Sequence, residues 1–180
     1  MNSIQEVIVR DAHEWEREAV AAVMLESYQQ YAFDLSAERW EEYRNSIRSS
    51  AYSHAPHARI VAEFGGEIVG SVQLFLSSEA AYGKPEMGIH SPIIRLLAVS
   101  PGSRGRGIAT LLIQEAARRS IQLGATTLNL HTSDMMASAV KLYERLGFER
   151  AYDTDIINNE TLVKGYRIEL PGSLLLQSAL

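Results

Sequence analysis

Ser100-Pro101-Gly102-Ser103-Arg104-Gly105-Arg106-Gly107-Ile108-Ala109 joins a β-rich run at residues 92–99 to an apolar-periodic helix predicted over 108–123. A strand that ends in a Gly/Arg loop and opens straight into a helix builds an anion site. The first backbone N–H groups of a helix have no partner within it, and the helix dipole favours negative charge beside them. Gly105 and Gly107 let the main chain approach a bulky diphosphate with no Cβ in the way. Arg104 and Arg106 add positive charge in a geometry suited to phosphate oxygens. The segment predicts a phosphorylated ligand.

Three phosphate-loop patterns compete for it. A Walker loop needs G-x-x-x-x-G-K-[ST]; here Gly107 is followed by Ile108-Ala109, so the lysine and the magnesium-binding hydroxyl are missing. A dinucleotide fingerprint needs G-x-G-x-x-G/A. Gly105-x-Gly107 is followed by Thr110 at the third place, and it lies mid-chain rather than in an opening βαβ unit. The third pattern, [RQ]-x-x-G-x-[GA], is met by Arg104, Gly107 and Ala109. It resembles the acetyl-CoA loop of the GNAT superfamily of N-acetyltransferases. The plain alternative is an Arg/Gly-rich solvated turn before a helix.

The resemblance extends to both sides. Upstream, Ile94-Arg95-Leu96-Leu97-Ala98-Val99-Ser100-Pro101 looks like the family's fourth strand. Downstream, Ala139-Val140-Lys141-Leu142-Tyr143-Glu144-Arg145-Leu146-Gly147-Phe148 looks like its A-x-x-L-Y-x-x-x-G-F helix and exit. The two motifs stand in the family's order, separated by one helix and one strand.

Composition fits one soluble domain. The chain has 180 residues, 46% of them apolar and 22% charged, which allows a sizeable core. A net charge of −5 argues against a nucleic-acid footprint across the whole surface. With no cysteine, disulfides, thiolate metal sites and cysteine nucleophiles are excluded, and a cytoplasmic setting is expected. No run approaches the roughly 20 apolar residues of a membrane span. The opening Met-Asn-Ser-Ile-Gln-Glu has no basic or apolar leader character. On that expectation the sequon Asn159-Glu160-Thr161 is idle.

Periodicity predicts strands at 7–10, 57–64, 67–76, 93–99, 126–131, 149–155 and 162–170, with helices at 14–31, 37–49, 108–123 and 137–146. Asp11 with Glu14, and Ser36, are the expected caps of the first two helices. Gly65-Gly66 is a hairpin turn. Residues 77–91 read as a loop, and the apolar tail 171–180 packs, pairs with a second subunit or frays. The order implies an α/β (α+β) fold with a mixed sheet and helices on its faces. The resemblance implies more: a centrally splayed sheet of about seven strands of the acyl-CoA N-acyltransferase type. It implies a cofactor half at about 92–148, an acceptor side at about 11–91, and compatibility with a homodimer.

Acetyl transfer from acetyl-CoA to an amine requires holding the thioester, polarising its oxygen, taking a proton from nitrogen and giving one to sulfur. Carried over from the resemblance, Leu97, Ala98 and Val99 hold the cofactor arm, with main-chain contacts from Leu97 and Val99. Arg104, Gly105, Arg106, Gly107, Ile108 and Ala109 cradle its pyrophosphate. Tyr143 is the proton donor to sulfur, its hydroxyl protonated at neutral pH with an ordinary pKa near 10; by helical spacing alone it is a core tyrosine.

The base is open. The family often carries a glutamate near the start of this strand, and Ser91, Pro92, Ile93 and Ile94 offer none. Glu86, His90, His131, Asp134 or a water chain remain, with loop charges and helix capping as their plain alternatives, or else the amine arrives already neutral. The family commonly has Asn where Met136 stands, and a thioether cannot replace its hydrogen bonds. Tyr28, Tyr31, Phe33, Asp34, Glu38 and Glu42 either edge a pocket for a cationic amine or form a mixed core and solvated face. His54 and His57 lack a third metal ligand, so no metal is expected. Two functions follow: an acetyl-CoA-dependent N-acetyltransferase acting on a small-molecule or peptide amine, without nucleic acid or membrane as partner, or a catalytically weak acyl-CoA-binding module.

Overall fold

The computed structural model describes residues 6–158 and 160–177. Asn159 of the sequon, the first five residues of the stretch read for a leader, and 178–180 of the tail lie outside the described residues. The chain divides into two compact units, Met1–Gln73 with Leu96–Ile113, and Leu74–Arg95 with Gln114–Leu180.

In the first unit β1 (Ile8–Asp11) pairs antiparallel with β2 (Ala58–Phe64), from Ile8↔Glu63 to Asp11↔Ile60. β3 (Glu67–Phe75) follows through the expected Gly65-Gly66 turn, where φ is 61° and 83°. The strand order continues to β4 (Ile93–Val99), which contributes Leu96–Val99 to this unit. The predicted helix at 14–31 is shorter. A 3-10 turn at Glu14–Glu16 leads into α1 (Arg17–Tyr28), and a second one at Gln29–Asp34 follows. The expected Asp11 cap is replaced because Asp11 stays in β1. His13 opens the turn instead, its N–H donating to Glu16 Oε1 at 2.7 Å. Ser36 caps α2 (Ala37–Ser50) as expected, accepting from the Arg39 N–H at 3.2 Å.

Buried Val20, Ala21, Val23 and Met24 of α1 and Ile47 of α2 form the core with Ile60, Val61, Ala62 and Val72. The first turn of α4 (Ile108–Gln122) packs tightly on this layer through Gly70. A Cβ there would lie 3.0 Å from Ile108 Cγ2 and 3.1 Å from both the Ala98 carbonyl oxygen and Leu112 Cδ1. Glycine thus seats the helix start close to β3 and β4.

In the second unit a loop was expected over 77–91. The structure instead shows α3 (Ser78–Tyr82), capped by Ser77 Oγ accepting from Ala80 N–H at 3.2 Å, and a 3-10 turn at Pro85–Met87. A five-residue helix is too short to show a period. β4 begins here with Ile93–Arg95 and runs parallel to β5 (Thr127–Thr132), registered at Ile93↔Asn129. β5 pairs antiparallel with β8 (Thr161–Glu169), which also takes β6 (Glu149–Arg150) and β7 (Ile156–Asn158) antiparallel. The strand expected at 149–155 is therefore β6 followed by a 3-10 turn at Tyr152–Thr154, and the described residues form eight strands.

The turn's cause is Gly165. A Cβ on it would lie 1.8 Å from Thr154 Oγ1, so only glycine lets the turn lie on β8. α5 (Ala137–Arg145) and α6 (Leu174–Gln177) complete the unit. Within the tail Leu175 is buried, and its carbonyl accepts from Gln114 Nε2 at 3.1 Å. The mixed α/β fold predicted from the element order is the fold observed. No helix among the described residues is long and apolar enough to cross a membrane.

One ion cluster ties β1 to its neighbours. Arg10 donates to both carboxylate oxygens of Glu16, at 2.7 and 2.9 Å, and through Nε to Glu63 at 3.2 Å. The Arg10 hydrogen bonds, against the opposing effect of burial, hold the Glu16 carboxyl down at about 2. A carboxyl depressed on folding adds stability that is complete above its unfolded value near 4.5 and disappears as pH falls through about 2. Glu16→Gln is expected to unfold at lower denaturant than wild type at pH 7. The gap should shrink steadily between pH 4.5 and 2 in equilibrium unfolding, and a pH-independent gap would contradict the assignment.

Candidate active site

In the first unit, the predicted anion loop has the backbone its glycines imply. β4 ends at Val99, a 3-10 turn spans Pro101–Ser103, and α4 starts at Ile108. Gly105 and Gly107 take φ of 80° and 75°, values that strain any other residue. The Gly107 carbonyl accepts from Leu111 N–H at 3.1 Å, the first bond of the helix. The N–H groups of Ile108, Ala109 and Thr110 therefore fall in the turn whose donors have no intrahelical acceptor. Arg104, Gly105, Arg106 and Gly107 are exposed, whereas Ile108 is buried and anchors the turn. A 15-residue helix directs its positive end at this exposed loop.

The two arginines differ. Arg104 Nη2 donates to the Ser27 carbonyl at 3.2 Å, which ties the loop to the last turn of α1. The Arg106 guanidinium sits 4.7 Å from the centre of the Phe64 ring. Ser27, buried in α1, also holds the strand: its Oγ accepts from Val99 N–H at 3.3 Å, while Ser100 N–H donates to the Val69 carbonyl at 2.8 Å. Of the main-chain contacts expected from Val99, the N–H is thus engaged by Ser27. An open groove of about 620 Å³ lies beside the loop, lined among others by Ser27, Gln30, Arg44, Pro101 and Arg104.

Leu96 is the other unforeseen feature. It has φ of 55° inside β4, a conformation rare outside glycine, asparagine and aspartate. A left-handed residue turns the strand's peptide groups out of regular alternation just before Leu97, Ala98 and Val99. No residue type marks the position, so the sequence carries no signal for it. Ser27 likewise reads as an ordinary helix serine.

The aromatic and acidic residues of the first two helices and their connection differ in burial. Tyr28 is buried with its ring 5.7 Å from Tyr31 and 6.0 Å from Tyr43, whereas Phe33, Asp34, Glu38 and Glu42 are exposed.

The second unit holds the remaining candidates. Tyr143 on α5 is buried, its ring edge-on to Phe148 at 6.0 Å. The helix exit is made by Gly147 at φ 103°, with Phe148 N–H returning to the Tyr143 carbonyl at 3.0 Å. Met136 stands at the N-cap of α5 and makes no side-chain cap. Glu86 in its 3-10 turn and His90 before β4 are both exposed. Asp134 is exposed and paired with Lys164 Nζ at 2.6 Å, so it is not a cap.

His131, at the end of β5, is enclosed. Its Nδ1 lies 2.9 Å from Tyr82 Oη and its Nε2 lies 2.8 Å from the Thr154 carbonyl oxygen. Among the described residues no group of three or more His, Asp or Glu side chains is placed to hold a metal.

Over residues 11–148 the chain matches the acetyltransferase (GNAT) family, and it belongs to that family. It is 31% identical over 102 residues to N-acetyltransferase family 8 member 2 of Rattus norvegicus, a match covering 57% of this chain and 43% of that protein. It therefore spans less than half the length of that relative. It is also 31% identical over 111 residues to an acetyltransferase of Yersinia enterocolitica, covering 62% of this chain and 70% of that one.

Among solved structures it is similar to PaiA N-acetyltransferase from Thermoplasma acidophilum in complex with coenzyme A. The TM-score is 0.71 at 14% identity, covering 91% of this chain and 99% of that one. A GNAT acetyltransferase from Brucella melitensis in complex with acetyl-CoA gives a TM-score of 0.60 at 18% identity, covering 94% and 91%. At such identities these structures speak for the fold. The family speaks for acetyl transfer.

Leu96→Val places a β-branched side chain where φ is positive. It is expected to lower the melting temperature by several degrees and to weaken coenzyme A binding measured by calorimetry. Wild-type values for both would show that the left-handed turn is not required.

Proposed function

We propose that the protein moves the acetyl group of acetyl-CoA to a primary amine by direct attack in a ternary complex. The observation that carries this is the exposed Arg104–Gly107 loop at the open N-terminus of α4, with left-handed Gly105 and Gly107. Its N–H groups suit the pyrophosphate of coenzyme A, and Arg104 and Arg106 supply charge to it. Ile108 and Ala109 begin the helix that points at it. Leu97, Ala98 and the Val99 carbonyl are the main-chain groups for the amide-bearing arm, which adds to the strand as a short peptide would.

The neutral amine nitrogen attacks the thioester carbonyl, the C–N bond forms, and the C–S bond breaks. Tyr143 gives its hydroxyl proton to the departing sulfur and recovers one from water. The acceptor is a small-molecule or peptide amine.

Thiol release from acetyl-CoA, followed with a panel of amines, tests this. Gly107→Val should abolish coenzyme A binding, since a β-branched residue cannot take φ of 75°. Tyr143→Phe should slow thiol release by about 100-fold or more while leaving coenzyme A affinity within a few-fold. Equal loss of both by Tyr143→Phe would mark a packing residue. Tight coenzyme A binding with no release for any amine would favour the second reading, an acyl-CoA-binding module, which Met136 at the α5 N-cap supports.

A further inference from the structure

The proton that the amine must lose has no acceptor in the scheme above, and the second unit contains a pair built to take one. The Thr154 carbonyl can only accept, so His131 Nε2, 2.8 Å away, carries a hydrogen. Neutral imidazole then has its lone pair on Nδ1, and Tyr82 Oη, 2.9 Å away, must donate to it. The tautomer is fixed by structure, not by solvent. The two rings meet edge-on at 5.1 Å, and the phenol oxygen retains lone pairs to accept a further proton.

Two elements hold the pair. From β4, the Arg95 guanidinium lies 4.8 Å from the centre of the Tyr82 ring and donates to the Ala81 carbonyl at 2.6 Å. From the 3-10 turn comes the Thr154 carbonyl. That turn is clamped: Arg150 donates to both Asp155 oxygens at 2.7 Å, and Asp155 Oδ1 accepts from the Gly165 N–H at 2.8 Å. The missing Cβ of Gly165 gives Thr154 its place.

Charge around the imidazole is mixed. Burial pushes the His131 pKa below its ordinary 6.5; the Thr154 bond and Asp155 oppose this, and Arg95 reinforces it. Burial also pushes the Tyr82 hydroxyl up to about 12, with Arg95 in opposition, so it remains protonated and donates to His131. At neutral pH the pair therefore stands as phenol and neutral imidazole, ready to receive one proton. Glu86 and His90, by contrast, are exposed.

We propose that Tyr82 and His131 form the proton relay for the acceptor amine, Tyr82 touching the substrate nitrogen and His131 receiving the proton through it. This rests on the acetyl-transfer reading. As the C–N bond forms, the nitrogen's proton passes to Tyr82 Oη while the Tyr82 proton passes to His131 Nδ1. Tyrosine ends as it began, imidazole ends as imidazolium with Nε2–H still on Thr154, and its extra proton later leaves to water. The sulfur takes the Tyr143 proton, so every proton is accounted for. Such a relay suits a primary amine that has already lost its ammonium proton, since one imidazole removes one proton.

The test is kcat against pH at saturating amine for wild type, Tyr82→Phe and His131→Gln, with coenzyme A affinity and melting temperature measured beside it. Wild type should lose activity on acidification with a midpoint below 6.5. Both variants should fall about 100-fold or more at pH 7.5 and lose that acid limb, with coenzyme A affinity kept. Tyr82→Phe removes a single oxygen and serves if His131→Gln does not fold. Near-wild-type kcat with the acid limb intact in Tyr82→Phe overturns the relay and leaves acetyl transfer standing. Absence of thiol release by wild type with every amine overturns both.

Discussion

Leu96 is the constraint on which the loop depends. A non-glycine residue in the left-handed region costs about 1–2 kcal/mol, and here it sits inside β4 where the chain passes from one compact unit to the other. The cost is offset immediately downstream. Ser100 is fastened to Val69 of β3, Val99 to the Ser27 hydroxyl, and Arg104 to the Ser27 carbonyl. Ile108, buried against the Cβ-free face of Gly70, fixes where α4 begins. Between these fasteners the main chain has little freedom. The open end of α4 is aimed by the strand before it, and its glycines only permit the path.

What the sequence shows and conceals follows from the kind of interaction involved. The Gly/Arg loop before α4 is legible because main-chain shape demands glycine at left-handed positions, and Gly105 and Gly107 are visible as letters. The α5 exit is legible for the same reason through Gly147. Ser36 is legible as a cap because a cap acts within three residues. His13 with Glu16 is not, since that arrangement depends on Arg10, whose guanidinium engages Glu16 and Glu63 together. The strand at 149–155 is misread because its break is caused by Gly165, ten residues beyond it. The Tyr82–His131 pair is hidden most deeply, being assembled from α3, β5 and a 3-10 turn, the first of which is too short to leave a period.

Gly165 and Leu96 make opposite use of the backbone. Leu96 keeps a side chain and accepts a strained φ, so the strand changes course without losing a residue that packs. Gly165 surrenders its side chain in an ordinary strand so that Thr154 can press on the sheet. Arg150, bound to Asp155 and lying 4.2 Å from the Tyr152 ring, keeps the turn from lifting away. Structural glycine, ion pair and cation–π contact converge on one carbonyl oxygen, and that oxygen determines which nitrogen of His131 carries the hydrogen.

An imidazole fixed at both nitrogens is also chemically quiet. A bare histidine is itself a nucleophile toward acyl carbons. With Nε2–H held by a carbonyl and Nδ1 capped by the Tyr82 hydroxyl, His131 can exchange protons along its hydrogen bonds but offers no lone pair to an acyl carbon. The arrangement separates basicity from nucleophilicity in a side chain that ordinarily combines them.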